Sequence, residues 1–135
     1  MKPLKKLRFA ETAITVSDMK RSVKFYESLM RIKVNRKESY KDRWVTVVDD
    51  LGLYNPSFDI KHDIERTQID KKPRHGNNAV IVFHSADIDR DHARAKKIKG
   101  ARSITKIASI NLMAPYRFFH LKDPDGNAIE IGQYL

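Results

Sequence analysis

The 135-residue chain is long enough for one domain with a real core, and it contains no apolar stretch that could span a membrane or form a signal peptide. The absence of cysteine excludes disulfides, thiolate metal sites and a cysteine nucleophile, and it fits a cytoplasmic protein. The formal net charge is +10, but the basic residues are spread along the chain without a nucleic-acid motif, so we expect no specific nucleic acid and no membrane partner, at most an anionic ligand or weak polyanion binding.

The first predicted elements are a strand and a helix. Residues 9–16 are predicted to form a strand, and the alternation of side-chain direction along it places Glu11 among small residues on one face. Ser17 is a suitable N-cap for a helix over residues 18–30. Apolar residues recur every three or four positions along that helix, so one side of it is expected to pack in the core.

Three further strands are predicted in the first half from their content of β-forming residues. They cover residues 32–38, 43–49 and 57–61. The stretch 50–56 contains glycine, asparagine and proline, which predicts a loop between the last two strands. Alternation in the final strand places Asp59 on the face opposite Phe58 and Ile60.

The second half begins after a polar segment. Residues 62–78 read as a linker, and they are followed by a strand over 79–84. A helix is predicted over 88–99, with acidic residues in its first turn, basic residues in its last and Gly100 in a left-handed position after it. Its apolar stripe is thin, which predicts a surface helix. A further strand is expected over 104–110.

The chain closes with a predicted hairpin over residues 117–132. The segment Asp123-Pro124-Asp125-Gly126-Asn127 supplies the residues of a tight turn. Alternation along the second strand places Ile129 and Ile131 on one face and Glu130, between Ala128 and Gly132, on the other. A carboxylate between two small residues is a candidate for a group that lines a cavity.

The elements therefore follow the order β-α-β-β-β twice, in a single α+β domain over residues 1–135. Module one covers about residues 8–61, the linker about 62–78 and module two about 79–135. Each module offers one helix to cover one face of its sheet, and the other face must meet its twin or enclose a cavity. Strand parity places Glu11, Asp59 and Glu130 on the face away from the helices.

Three segments resemble the vicinal oxygen chelate superfamily, also called the glyoxalase/bleomycin-resistance/dioxygenase fold. They are AITVSDMKRSVKFYESLM, HSADID and, most specifically, FFHLKDPDGNAIEI. The resemblance covers nearly the whole chain and implies that the two βαβββ modules form paired incomplete barrels around a site. Many members bind a divalent metal there, and others are metal-free drug-binding proteins.

The resemblance also implies a set of ligand positions. They fall on Glu11 in the first strand, on Asp59 at the end of module one and on Glu130 in the last strand. The fourth position, usually histidine, falls on Val80, which cannot ligate; Asn78 and His75 lie nearby in the sequence. The other histidines match no ligand position and are expected to be surface or hydrogen-bonded residues: His62, His84, His92 and His120.

Three functions remain open, of which nucleic-acid binding rests on charge alone and is the least favoured. The first is a bleomycin-resistance-like protein that binds a small organic ligand in a barrel cavity with an incomplete metal site. The alternative is a glyoxalase I-like lyase or isomerase, or a thiol transferase, in which one divalent metal (Ni, Zn, Mn, Mg or Fe) polarises the substrate and Glu130 acts as the catalytic base. An extradiol dioxygenase is disfavoured because its iron site needs a histidine pair. By the same resemblance, the chain is expected to form a homodimer.

Overall fold

The computed structural model describes residues 7, 9–62, 79–111 and 114–135, and within them the predicted α+β architecture of two βαβββ modules is confirmed. Module one contains β1 (Thr12–Thr15), α1 (Met19–Met30), β2 (Asn35–Tyr40), β3 (Trp44–Val48), β4 (Leu51–Tyr54) and a short α2 (Pro56–Lys61). Module two contains β5 (Val80–His84), α3 (Ile88–Ala95), β6 (Ala108–Asn111), β7 (Pro115–Lys122) and β8 (Ala128–Tyr134).

The two sheets have the same topology. The strand order is β1-β4-β3-β2 in sheet one and β5-β8-β7-β6 in sheet two. The first strand of each module runs parallel to the last, and the other pairs are antiparallel. The two open mixed sheets therefore present equivalent positions, so that Trp44 and Tyr54 of sheet one correspond to Tyr116 and Tyr134 of sheet two.

The predicted helices are present, with small changes at their ends. Asp18, rather than Ser17, is the N-cap of α1, because its carboxylate accepts from the backbone N–H of Arg21 at 3.1 Å. The second predicted helix ends at Ala95, and a turn follows in which Gly100 has the expected positive φ of 94°. No described helix has the length and apolar character needed to cross a bilayer.

The sequence reading of residues 50–61 is wrong in secondary structure. The predicted loop contains strand β4, in which Leu51 and Leu53 are buried, and the predicted strand over 57–61 is helix α2. The pair Asn55-Pro56 is typical of a loop, but it is also typical of the start of a helix. The Asn55 side chain accepts from Ser57 N–H as the N-cap, and Pro56 follows at the first helical position.

Both modules share one hydrophobic core. Phe25, Tyr26 and Leu53 of module one belong to the same buried cluster as Phe119 and Ile129 of module two. The cluster is broad on α1, whereas α3 buries only Ile88 and Ala95, as its thin apolar stripe predicted.

Polar contacts also join the modules, chiefly through the turn of residues 123–127. Asp123 is fully buried and accepts from the Tyr26 hydroxyl of α1 at 2.7 Å. Asp125 accepts from the Ser17 hydroxyl at 2.5 Å and from Arg21 at 3.2 Å. The turn that the sequence predicts as a hairpin loop therefore also anchors module two to the start of α1.

The predicted linker over 62–78 lies outside the described residues except for His62, and Asn78 and His75 lie outside them as well.

Candidate functional site

The carboxylate of Glu130 lies on the face of sheet two that points away from the core, as strand parity predicts. Its neighbours Ile129 and Ile131 are buried, and the Glu130 side chain is 23% exposed. The pairing of β5, β7 and β8 brings further outward-facing side chains around it. We refer to this surface as the Glu130 face; it comprises Val80, Val82, His84, Ala108, Ile110, Tyr116, Phe118, His120, Lys122, Ala128, Glu130, Gly132 and Tyr134.

Each oxygen of the Glu130 carboxylate has a partner from strand β7. The Tyr116 hydroxyl donates to Oε2 at 2.9 Å, and His120 Nε2 lies 2.9 Å from Oε1. His120 is directly opposite Glu130 in the antiparallel pair, so that the imidazole reaches the carboxylate across the strands. A carboxylate can accept about four hydrogen bonds, so lone pairs remain on both oxygens for a bound donor.

Tyr116 reaches Glu130 because position 132 is glycine. A Cβ on Gly132 would lie 1.7 Å from the Tyr116 hydroxyl oxygen, so any larger residue there displaces the ring. Burial of the phenol, followed by its hydrogen bond to Glu130, raises the pKa of Tyr116 to about 12. The phenol therefore remains a proton donor to Glu130 throughout the neutral range.

Aromatic rings surround the carboxylate. The rings of Tyr116 and Tyr134 have centroids 4.7 Å apart, and Tyr116 stacks on Phe118 at 5.7 Å. His84 lies edge-on to Tyr134 at 5.8 Å. On the other side of Glu130, Val82 is its cross-strand neighbour and is 51% exposed. The Glu130 face thus combines one carboxylate with aromatic and aliphatic surface.

The equivalent face of sheet one is closed by its own side chains. The Trp44 ring lies over Gly52, where a Cβ would approach the ring to 2.4 Å, and its indole N–H donates to Thr46 at 3.0 Å. Thr46 and Tyr54 are buried there. The two modules therefore use the same glycine-and-aromatic arrangement, and in sheet two the aromatic hydroxyl holds the Glu130 carboxylate.

Asp59, the second predicted ligand, lies on α2 rather than on a strand, so the predicted placement on a sheet face is wrong. It is 1% exposed and accepts from Arg43 Nε at 2.6 Å and from the Tyr54 hydroxyl. The pKa of Arg43 is raised, mainly by this hydrogen bond. In this chain the Asp59 carboxylate anchors α2 to sheet one.

Glu11 precedes β1 and is exposed. Among the residues that the structure describes, no three His, Asp or Glu side chains lie close enough together to hold a metal ion. Val80 lies on the Glu130 face opposite Ala128 and offers no ligand atom. The described chain does not gather Glu11, Asp59 and Glu130, so these residues do not fit a metal centre within one chain, and their role as ligands stays a prediction.

The sequence reading missed the two partners of Glu130. His120 matches no ligand position in the sequence, and Tyr116 precedes the predicted hairpin. A signal was nevertheless present: a loop over 123–127 pairs Lys122 with Ala128, and two residues back along each strand this places His120 opposite Glu130.

Comparison with known proteins supports the fold. The model of the glyoxalase-like domain family matches residues 9–135. A glyoxalase/bleomycin resistance protein/dioxygenase family enzyme from Burkholderia phytofirmans has a TM-score of 0.67 and 14% identity, with 96% of this chain and 100% of that chain covered. A glyoxalase/bleomycin resistance protein from Albidiferax ferrireducens has a TM-score of 0.64 and 20% identity, with 93% and 98% covered. A virulence protein from Salmonella typhimurium has a TM-score of 0.65 and 20% identity, with 98% and 100% covered. No curated protein matches the chain.

Proposed function

Because the chain belongs to the glyoxalase-like domain family, we propose that it binds a small organic molecule on the Glu130 face, without a metal ion. The observation that carries this proposal is the partly exposed Glu130 carboxylate, held by Tyr116 and His120 within a set of aromatic rings. Ligand sites commonly combine apolar and aromatic surface with a few oriented polar groups. The Glu130 face combines aromatic and apolar side chains with one oriented carboxylate in the same way.

The side chains of the Glu130 face define the chemical class of the ligand. A carboxylate with free lone pairs favours a cationic or hydrogen-bond-donating group. The rings of Tyr116 and Phe118 favour a flat aromatic body that stacks on them, and the exposed Val82 adds apolar contact. We therefore assign an aromatic or otherwise planar ligand that carries a positive charge or an N–H donor.

A series of three small molecules of similar shape tests this assignment. Benzamidine, benzamide and benzoate differ mainly in charge, and their binding is measured by chemical-shift perturbation or calorimetry. Benzamidine is expected to bind with a Kd near 1 mM, about −4 kcal/mol, as suits a compound of its size. Benzamide should bind more weakly and benzoate not at all.

The Glu130→Gln variant is expected to weaken benzamidine binding about tenfold or more while benzamide binding changes little. Glu38→Gln, an exposed charge change on sheet one, serves as the matched control and should leave both Kd values unchanged. Tighter binding of benzoate than of benzamidine would refute the proposal.

The alternative is a metal-dependent glyoxalase-like lyase, isomerase or thiol transferase. Its supporting feature is the His120–Glu130 pair, which offers two adjacent ligand groups. Elemental analysis of protein before and after incubation with Ni, Zn, Mn, Mg or Fe separates the two functions. Stoichiometric metal that is lost in Glu130→Gln favours the enzyme, whereas metal-free protein that binds benzamidine favours the binding module.

A second copy of the chain is the proposed partner on the same face. Val80, Val82, Ile110 and Tyr134 are 41–53% exposed there, which is a large apolar surface for one side of a sheet. The equivalent face of sheet one is covered by Trp44. A homodimer in which a second copy covers the Glu130 face would enclose the ligand between chains.

A further inference from the structure

A second concave surface lies along α1, and it shares no residue with the Glu130 face. This groove has a volume of about 1170 Å³ and extends from Asp18 to Lys33, with Lys99 and Gly100 of the turn after α3 also lining it. Since α1 has 12 residues, the helix alone gives the groove a length of about 18 Å. We refer to it as the α1 groove.

Cations dominate the lining of the α1 groove. It contains six basic residues and two acidic ones: Lys20, Arg21, Lys24, Arg31, Lys33 and Lys99 against Asp18 and Glu27. Both carboxylates already accept backbone N–H groups, Asp18 from Arg21 at 3.1 Å and Glu27 from Val34 at 3.0 Å. Each of these carboxylates therefore already has a backbone donor.

Most of these cations have no acidic partner among the residues that the structure describes. Arg21 pairs with Asp125 at 3.2 Å. Within the described part of the chain, no ion pair is made by the other five: Lys20, Lys24, Arg31, Lys33 and Lys99. Five like charges along one groove repel one another, and an anionic occupant would relieve that repulsion.

Arg31, one of the unpaired cations among the described residues, has an unusual backbone conformation. Arg31 ends α1 in the left-handed conformation, with φ 57° and ψ 46°, where glycine is the preferred residue. A side chain at this position costs backbone energy, and the side chain present is a cation that lines the groove.

The distribution of the charges selects the class of occupant. Lys20 and Lys24 are one turn apart, about 6 Å along the helix axis, and Arg31 lies about 10 Å further on, so the charges form a row rather than converging on one small anion. The two large apolar residues that line it are Phe25, which is 1% exposed, and Ile32, which is half-buried, so its lining residues offer no fully exposed apolar anchor, which disfavours a membrane surface or a peptide anchored by apolar residues. A row of mainly lysine point charges suits successive phosphates.

From this geometry we propose that the α1 groove binds the phosphate backbone of single-stranded nucleic acid independently of sequence. The groove offers no exposed aromatic side chain for base stacking among its lining residues, so affinity comes from phosphate contacts and release of counterions. This agrees with the absence of a nucleic-acid motif in the sequence, since no base is read.

The test is fluorescence anisotropy of labelled oligothymidylate and oligouridylate with the full chain over a range of salt concentrations. Five phosphate contacts predict a slope of log K against log salt of about −3.5, and an affinity loss of about a hundredfold between about 50 and 200 mM salt. Lys20→Gln/Lys24→Gln should reduce the slope to about −2.1 and weaken binding roughly 25-fold at about 0.1 M salt.

Two further variants separate the groove from overall charge and from folding. Lys96→Gln/Lys106→Gln makes the same charge change at exposed positions outside the groove and should bind like wild type. Arg31→Gly removes one cation and places glycine at the left-handed position, so its thermal midpoint should stay level or rise while affinity falls about fivefold.

Equal losses of oligonucleotide affinity in Lys20→Gln/Lys24→Gln and in Lys96→Gln/Lys106→Gln would refute binding in the α1 groove. Absence of oligonucleotide binding would also refute the proposal, and binding of vesicles with anionic lipid that is lost in Lys20→Gln/Lys24→Gln would instead assign the groove to a membrane surface.

Discussion

At the scale of single residues, two glycines decide what each sheet face presents. Gly52 and Gly132 occupy equivalent positions, and each lets an aromatic ring lie flat across its sheet. In sheet one, Trp44 then donates to Thr46, whereas in sheet two Tyr116 donates to Glu130. A glycine at the same position therefore lets Trp44 close the face of sheet one and lets Tyr116 orient the Glu130 carboxylate on sheet two.

The pKa of Tyr116 reports on this arrangement. Ultraviolet-difference titration of wild type should show a phenol with a pKa of about 12, and that phenol should be absent in Tyr116→Phe. In Gly132→Ala the added methyl displaces the ring, and the pKa should fall towards the usual value of about 10. Glu130→Gln should lower it by less, because burial is the larger cause. An unchanged titration in Gly132→Ala would contradict the geometry.

The sign of the linked stability change follows from the same shift. Because the folded state holds the phenolic proton more tightly than the unfolded chain, the contribution of Tyr116 to stability is complete below about pH 10 and is lost as the pH rises from there towards about 12. Tyr116→Phe should reduce this alkaline loss in urea unfolding measurements.

At the scale of elements, the turn of residues 123–127 connects the two modules as well as closing the hairpin. Asp123 accepts from Tyr26 of α1 and, within the turn, from the backbone N–H groups of Asp125 and Asn127 at 2.9 and 2.8 Å. The Asn127 amide donates to the backbone carbonyl of Thr15 in β1 at 3.2 Å. Because Asp123 is buried and charged, we expect its substitution to destabilise the protein.

We expect Asp123→Ala to destabilise the protein by about 3–5 kcal/mol, because it leaves several buried donors without an acceptor. Tyr26→Phe removes only the hydrogen bond between the Tyr26 hydroxyl and Asp123, and it should cost about 1–3 kcal/mol. Urea unfolding measures both, and Asp49→Asn at an exposed turn should change stability by less than about 0.5 kcal/mol. If Asp123→Ala lowered the free energy of unfolding by less than about 1 kcal/mol, this role of the turn in connecting the modules would be contradicted.

At the scale of the whole molecule, charge and apolar surface are separated. The α1 groove holds cations without acidic partners among the described residues, whereas the Glu130 face holds exposed apolar residues around one carboxylate. The α1 groove can therefore attract polyanions without using the residues proposed to hold the ligand. The two proposed functions therefore use different surfaces.

The proposed homodimer makes a prediction at this scale. Val82→Glu places a charge on the exposed apolar part of the Glu130 face and should shift the chain from dimer to monomer in analytical ultracentrifugation. Val48→Glu, at an exposed apolar position on sheet one, is the matched control and should sediment like wild type. A wild-type monomer at high protein concentration would exclude the dimer.

The order of elements in module two and the orientation of Glu130 follow from the sequence alone. Alternation along the last strand and the Asp-Pro-Asp-Gly-Asn turn are local patterns, and local patterns decide which face a strand residue occupies. The same reasoning identified both modules and the family resemblance. It failed at residues 50–61, where Asn55-Pro56 allowed either a loop or a helix start and packing of α2 on sheet one selected the helix.

The partners of the candidate residues required the tertiary structure. Asp59 meets Arg43 and Tyr54 because α2 packs against sheet one, and Glu130 meets Tyr116 and His120 through cross-strand register and the space above Gly132. The α1 groove forms only where Lys99 approaches α1 from the other module. Periodicity specifies the direction of each side chain, but its contacts depend on elements distant in the chain, and these contacts decide the chemistry of every site described.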